Sequence, residues 1–241
     1  MSSLQYIRQF FGSVLFIAGM VIFSFIWIIP SIIVNLFPYE TRVWFVSRWN
    51  VFNLWWCKVC CGLDYKITGT ENIPDHACIV MPNHQSTWET LALSKILPPL
   101  TWVVKRELLW IPLFGWGLAA MAPIALNRQA GKKALMQLIN DGRERLQLGR
   151  WILIFPEGTR TLPRTQTPLK NGAFLLASKT GATVLPIAHN SGLFWARKQF
   201  VKKRGTIQVI IGKPIDTKGK KAEQIKEEYE TWLTEQRSKI E

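Results

Sequence analysis

Three histidines occur in the 241 residues, and one stands where proton transfer is chemically feasible. His84 lies in the segment Met81-Pro82-Asn83-His84-Gln85-Ser86-Thr87-Trp88-Glu89-Thr90, directly after the apolar run Ala77 to Val80. A strand that ends in a loop opening a helix places side chains at the edge of a sheet, where α/β proteins usually keep their sites. On one continuous helix His84 and Glu89, five apart, would diverge by about 140° around the axis. They meet only if His84 sits in the loop and Glu89 in the first helical turn. Ser86-Thr87-Trp88-Glu89 fits that geometry, because Ser-x-x-Glu reads as a capping box with Ser86 at the N-cap. Two readings stand side by side. Either Glu89 reaches back to the Ser86 amide and His84 is an ordinary loop residue, or Glu89 holds one imidazole nitrogen while the other removes a proton from a bound hydroxyl.

A second constellation, Phe155-Pro156-Glu157-Gly158-Thr159-Arg160, follows the apolar run Trp151 to Ile154. Gly158 permits a tight turn, Thr159 offers a hydroxyl, and Arg160 presents a planar fork suited to phosphate oxygens. Lys105, Arg106, Arg128 and Lys170 are further cations, and Arg128 comes just after the short run Ile124-Ala125-Leu126. Each alone reads as a solvated surface charge. Several at strand ends together point to an anionic substrate. Of the other histidines, His76 reads as an ordinary residue leading into a strand. His189, in a loop with Asn190, Ser191 and Gly192, is a lesser candidate for facing a site. A zinc site would draw on Cys57, Cys60, His76 and Cys78, but it lacks a second Cys-x-x-Cys or His-x3-His half. Buried thiols are the expectation, with neither metal nor disulfide.

The elements that must position these residues divide the chain in two. Thirty Lys and Arg against 16 Asp and Glu give a formal charge of +14, yet 48% of residues are hydrophobic and 19% charged, which excludes a disordered basic tail. Nine of the 12 Trp lie between Trp27 and Trp116. Basic charge with Trp enrichment suits an anionic lipid surface better than nucleic acid, because the amphipathic indole is comfortable at headgroup level. No charged residue stands between Arg8 and Glu40, and Phe10 to Ile29 is long enough to cross hydrocarbon before Pro30 interrupts it. A signal peptide fits less well, since the apolar stretch is long and no small-x-small cleavage site follows. Tyr39 to Cys61 mixes Arg42, Arg48 and Lys58 with Trp44, Phe45, Trp49, Phe52, Trp55 and Trp56, an amphipathic pattern for an interfacial helix. The two helices either lie together in one leaflet or the first spans, in which case the basic residues after it put the body on the cytoplasmic side.

After Gly62, short β-rich runs alternate with helical stretches. Strands are expected at Tyr65 to Thr68, Ala77 to Met81, Trp102 to Val104, Ile124 to Leu126, Trp151 to Phe155, Thr183 to Ile187 and Thr206 to Ile211. Helices are expected at Trp88 to Ile96, Ala130 to Leu148, Gly172 to Lys179 and Ala222 to Arg237. In the last, Ile225, Tyr229, Trp232 and Leu233 recur at helical spacing. The alternation argues for a layered α/β domain. Five basic residues in Arg197 to Arg204 make either a solvated loop or a contact with anionic lipid.

At these blocks the chain resembles the glycerolipid acyltransferase family, specifically the 1-acyl-sn-glycerol-3-phosphate acyltransferases. Four family motifs appear in order: Asn83 to Glu89, Pro123 to Arg128, Phe155 to Arg160, and Leu185-Pro186-Ile187-Ala188. The likeness covers about Gly62 to Lys213. Glu89 stands where the family usually has Asp, one methylene longer, and Asn127 stands where an acidic residue often precedes the Arg. The resemblance implies a mixed central sheet flanked by helices. It divides the chain into a helical membrane-anchoring region at 1–61 and an acyltransferase domain with a C-terminal amphipathic helix at 62–241. It implies that His84, oriented by Glu89, deprotonates the sn-2 hydroxyl of lysophosphatidic acid, which attacks the thioester of acyl-CoA or acyl-carrier protein to give phosphatidic acid. Arg128, Glu157, Gly158, Thr159 and Arg160, with Lys105 as a lesser candidate, would hold the glycerophosphate. Cofactors and nucleic acid play no part in that scheme. The alternatives are another lysolipid acceptor, an acyl-accepting Cys78, or a membrane-tethered basic lipid-binding protein without catalysis.

Overall fold

The computed structural model describes residues 3–112 and 114–241. Helix α1 (Ser3–Ile33) continues through Pro30, where a break was expected, and gives way to a 3-10 turn at Val34–Leu36. Proline removes a single donor, and the polar side chains around it keep the last turn satisfied. The Ser31 hydroxyl donates to Trp27 O at 2.7 Å and the Asn35 amide to Ser31 O at 3.1 Å. Helix α2 (Tyr39–Cys61) runs back antiparallel to α1. The Trp49 indole donates to Ser24 Oγ at 3.2 Å, and Trp27 stacks on Phe45. Gly12 lets the backbones close, since a Cβ there would lie 2.3 Å from Cys60 O.

The chain then enters the sheet. Among the described residues seven strands form it: β1 (Leu63–Thr68), β2 (Ile79–Pro82), β3 (Leu100–Lys105), β4 (Ile124–Leu126), β5 (Trp151–Leu153), β6 (Val184–His189) and β7 (Gly205–Ile211). Their order is β1-β7-β6-β2-β5-β3-β4, and every pairing is parallel except β6 with β7. The sheet is therefore mixed. Between the strands come α3 (Trp88–Ile96), α4 (Phe114–Ala120), α5 (Lys132–Gln147) and α6 (Asn171–Thr180), and α7 (Ala222–Ile240) closes the domain.

Alternation along the strands builds two cores. Val80, Leu153, Leu185 and Ile187 face α1, α2 and α3, while Ile79, Met81, Ile152 and Val184 face α5, α6 and α7. On α7, Ile225, Tyr229 and Leu233 are buried at the expected spacing, and the Tyr229 hydroxyl donates to Met81 O at 3.1 Å, just before the loop that carries His84. Helix α4 has no counterpart among the expected elements. Its sequence Phe-Gly-Trp-Gly-Leu-Ala-Ala holds two glycines that weaken any local helix signal, and contacts with α1 and α2 supply what propensity does not.

Candidate active site

Because β5 and β6 pair with β2 on either side, three loops meet at the carboxyl ends of the central strands. They are Asn83 to Thr87 after β2, Ile154 to Arg160 after β5, and Asn190 to Ser191 after β6. The β5 loop straps the β2 loop by its main chain. His84 N donates to Glu157 Oε2 at 3.1 Å, and Thr161 N donates to His84 O at 2.7 Å. The Phe155 ring stacks on the imidazole, centroids 3.8 Å apart and 18° from parallel. Gly158 adopts φ +67°, the left-handed conformation that the turn after Glu157 requires.

The two readings of Glu89 turn out to be compatible. Its Oε1 accepts from His84 Nδ1 at 2.8 Å, from Gln85 N at 2.8 Å and from Ser86 N at 2.7 Å. One oxygen thus serves the cap and the imidazole together. Helix α3 starts one residue later than an N-cap at Ser86 implies, yet Ser86 Oγ still accepts the Trp88 amide at 3.0 Å. Glu89 is fully buried. Burial alone would raise its carboxyl, but the imidazoles of His189 and His84 and the Ser86 amide outweigh it and hold the group at about 2. Near neutral pH the hydrogen bonds carry this effect, because burial pushes His189 below its ordinary range and leaves it largely uncharged. Glu89 is therefore an anion. With its folded value depressed, it supports stability above the unfolded carboxylate range and loses that support as pH falls toward 2.

His84 Nδ1 is engaged, and Nε2 has no partner among the described residues. His84 lies on the wall of a cavity of about 1180 Å³. Trp27 and Ile28 of α1, Val46 and Trp49 of α2, and Phe114 and Leu118 of α4 give the cavity an apolar lining. Lys105, Arg128, Gly158, Thr159, Arg160, Lys170 and Arg197 line it too. Lys105 is 3.3 Å from Glu107, and Arg128 Nη1 donates to Gly158 O. Arg197 bonds Thr159 Oγ1 at 3.4 Å and Arg160 O at 3.3 Å, whereas the Arg160 guanidinium has no partner among the described residues. Arg106, also considered from sequence, does not line the cavity.

Glu157 departs from expectation. It does not line this cavity; its carboxylate turns inward to His84 N and to Thr161 Oγ1 at 3.0 Å, and it is 2% exposed. Burial raises it to about 7 against the opposing bonds from His84 N and Thr161. A carboxyl raised in the fold contributes stability that is complete at low pH and lost as pH rises through about 7. The difference between about 7 and an ordinary 4.5 corresponds to roughly 3 kcal/mol. Glu157→Gln is thus expected to gain stability relative to wild type by up to that amount between pH 5 and pH 8. Paired denaturant melts at the two pH values check this, and an unchanged difference would sink it.

The remaining candidates fall outside the cavity. His76 is exposed beside Asp75 at 3.1 Å. Cys78 is fully buried, and burial pushes its thiol well above the usual range, so it does not offer a thiolate. Among the described residues no group of three His, Cys, Asp or Glu side chains is placed to hold a metal. Lys202, in the basic stretch 197–204, is buried under α1, its amide bonded to Ser13 Oγ at 2.8 Å and its ammonium among Phe16, Trp195 and Phe200. Lys202 is therefore not solvated. Sequence reasoning missed Phe155 as the ring under His84, Arg197 as a cavity residue and Ser191 as a partner of Glu89. None has a local pattern that marks its role.

Comparison with known proteins agrees with this geometry. A family model described as Acyltransferase matches residues 64–190. A 1-acyl-sn-glycerol-3-phosphate acyltransferase from Pseudomonas aeruginosa is 41% identical over 245 residues, covering all of this chain and 94% of the relative. One from Saccharomyces cerevisiae is 32% identical over 219 residues, covering 89% of this chain and 70% of the relative. The crystal structure of the 1-acyl-sn-glycerophosphate (LPA) acyltransferase PlsC from Thermotoga maritima shares the fold, with TM-score 0.81 over 98% of this chain and 97% of that one at 22% identity. With three of its four motif blocks on one cavity, and relatives of one kind of which one is matched over 94% of its length, the chain belongs to the acyltransferase family, among the 1-acyl-sn-glycerol-3-phosphate acyltransferases.

Proposed function

We propose that this chain transfers an acyl group from a thioester, acyl-CoA or acyl-carrier protein, to the sn-2 hydroxyl of lysophosphatidic acid, giving phosphatidic acid. The observation that carries the reading is an imidazole held at Nδ1 by a buried carboxylate, on the wall of a cavity lined by apolar residues of α1, α2 and α4 and by cations of the body. The acceptor's acyl chain matches the apolar residues and its phosphate the cations. His84 Nε2 takes the hydroxyl proton as the oxygen attacks the thioester carbonyl carbon. The C–S bond then breaks, and His84 returns the proton to the leaving thiolate. Glu89, ionised throughout, stabilises the imidazolium between these steps. Neutral imidazole and anionic carboxylate suffice for this sequence, so it requires no metal or other cofactor. Arg160, whose guanidinium has no partner among the described residues, is the residue proposed to grip the phosphate, with Arg128 and Lys105 beside it.

The membrane side of the proposal is that α1 and α2 lie in the plane of one leaflet. Helix α2 buries Tyr39, Val43, Ser47, Asn50, Leu54, Cys57 and Cys61, a stripe along its whole length against the body. Helix α1 is tied down near its start, where Phe16 meets Trp195 and Ser13 meets Lys202, and its far end lines the cavity. Attachment along its length supports a hairpin that lies in one leaflet over one that projects through the bilayer. Its outward residues Phe11, Ile22, Ile26 and Ile29 are exposed and apolar, as are Trp110, Ile111, Phe114 and Trp116 in and before α4. The chain's net charge of +14 suits the anionic cytoplasmic leaflet.

A labelled-acyl transfer assay tests the reaction. The purified chain is offered 1-acylglycerol 3-phosphate, 1-acylglycerol without the phosphate, a lysophospholipid with a headgroup, and a lyso-ornithine lipid. Product is expected chiefly with the first acceptor, with low turnover of the others. Equal turnover of acceptors lacking a terminal phosphate would transfer the reading to another lysolipid.

A further inference from the structure

Behind the dyad lies a second buried set that the reaction scheme does not use. Glu89 Oε2, the oxygen not shared with His84, accepts the Ser191 hydroxyl at 2.9 Å. Ser191 Oγ is also 3.1 Å from His189 Nδ1, and His189 Nε2 is 2.7 Å from the carbonyl oxygen of Asn83. The Asn83 side chain clasps the His189 main chain from both sides, accepting from His189 N at 2.8 Å and donating to His189 O at 2.9 Å. Asn83, Glu89, His189 and Ser191 are each 4% exposed or less.

Counting protons shows what this set can do. The Asn83 carbonyl only accepts, so His189 Nε2 carries its hydrogen. Between His189 Nδ1 and Glu89 Oε2 stands one hydroxyl, with one proton for two contacts. With His189 neutral and Glu89 ionised, one of the two contacts has no proton to share. Both are satisfied when the set binds one more, on Nδ1: His189 then donates to Ser191 Oγ and Ser191 donates to Glu89. We propose that Ser191 and His189 are positioning residues forming an inner proton-binding set on the far side of Glu89, which competes with His84 for the same carboxylate. The groups facing His189 are Glu89 from α3, His84 from the β2 loop and, after α7, Glu241. Burial opposes the extra proton, while Glu89 and the bond to Asn83 favour it. When the inner proton is bound, Glu89 is compensated from behind and His84 becomes a weaker base. When it is absent, the full carboxylate charge supports the imidazolium. The inner proton and a proton on His84 thus draw on one carboxylate.

The inference rests on the general-base reading of His84, and the test separates the two. Full-length protein in detergent, labelled with 15N-histidine, has three rings to follow. On lowering the pH, His189 Nδ1 is expected to gain a proton and His84 to titrate in two steps. Ser191→Ala is expected to collapse the His84 curve to one step and to lower kcat roughly 10- to 100-fold, with KM for both substrates within about two-fold, since Glu89 loses the charge-assisted bond that fixes its carboxylate against His84. Ser191→Thr, which keeps the hydroxyl, is expected to recover most of kcat and the two-step curve. His189→Gln keeps a donor toward Asn83 but lacks Nδ1, and is expected to show one step for His84; should it not fold, Ser191→Ala carries the test. A single-step His84 curve in wild type, or wild-type kcat in Ser191→Ala, overturns the proposal. If those results come with an inactive His84→Ala, only the inner set falls; if His84→Ala remains active, the general-base reading falls with it.

Discussion

Replacing His84 by alanine is expected to lower kcat for acyl transfer by about 10³-fold or more, with little change in KM for either substrate. A positioned general base contributes roughly 10²- to 10⁴-fold, and here the imidazole both removes and returns the proton, so the upper part of that range applies. The fold should survive the change. The His84 side chain is 14% exposed, and Glu89 Oε1 keeps its bonds from Gln85 N and Ser86 N, so the loss in stability is expected at about 1 kcal/mol. Thioester consumption, followed by release of free thiol at saturating lysophosphatidic acid, measures the effect. A melting temperature close to wild type separates lost chemistry from lost structure. Persisting turnover would remove His84 from the reaction. If in addition every lipid-binding property followed salt and total charge alone, a non-catalytic basic lipid-binding protein would become the better description.

The second large effect is expected at Arg160. Arg160→Ala should lower kcat/KM for lysophosphatidic acid roughly 10- to 100-fold, through KM, while turnover of 1-acylglycerol stays low and nearly unchanged. The reasoning is electrostatic and geometric. Arg160 lines the cavity without a partner among the described residues, so its donors are available to a ligand, and a charge-assisted Arg–phosphate contact is worth about 1.5–3 kcal/mol. Arg160→Lys should recover only part of the loss, since an ammonium keeps the charge but not the planar fork. Arg128 and Arg197 already spend donors on Gly158 O, Thr159 and Arg160 O, so their alanine variants should cost less. Steady-state kinetics with both acceptors decide this. An Arg160→Ala enzyme with wild-type kcat/KM would move the phosphate to another cation.

Much of this arrangement was legible before any coordinates. Strand and helix positions after Gly62 follow the expected runs, with Ile124–Leu126 and Trp88–Ile96 coinciding, because each run carries its own hydrophobic period and turn residues. Helix α4 was not legible, since its glycines hide a helix that only its neighbours stabilise. The inward turn of Glu157 was not legible either. Its motif suggests a ligand at a strand end, but the side chain's direction depends on His84 N, 73 positions away in the chain, being within reach. The burial of Lys202 has the same origin, because it needs α1 packed over the loop that follows β6.

By itself the sequence determined the chemical vocabulary of this protein: an imidazole and a carboxylate around a helix start, a turn ending in arginine, cations at strand ends, and an apolar leading helix. These are local properties, encoded in residue type and short spacing. The tertiary structure alone decided that β5 and β6 flank β2, that one oxygen of Glu89 serves both cap and imidazole, and that its other oxygen meets Ser191 and His189. Strand order and side-chain direction depend on which distant surfaces bury each other, and such long-range packing leaves no periodic trace in the chain.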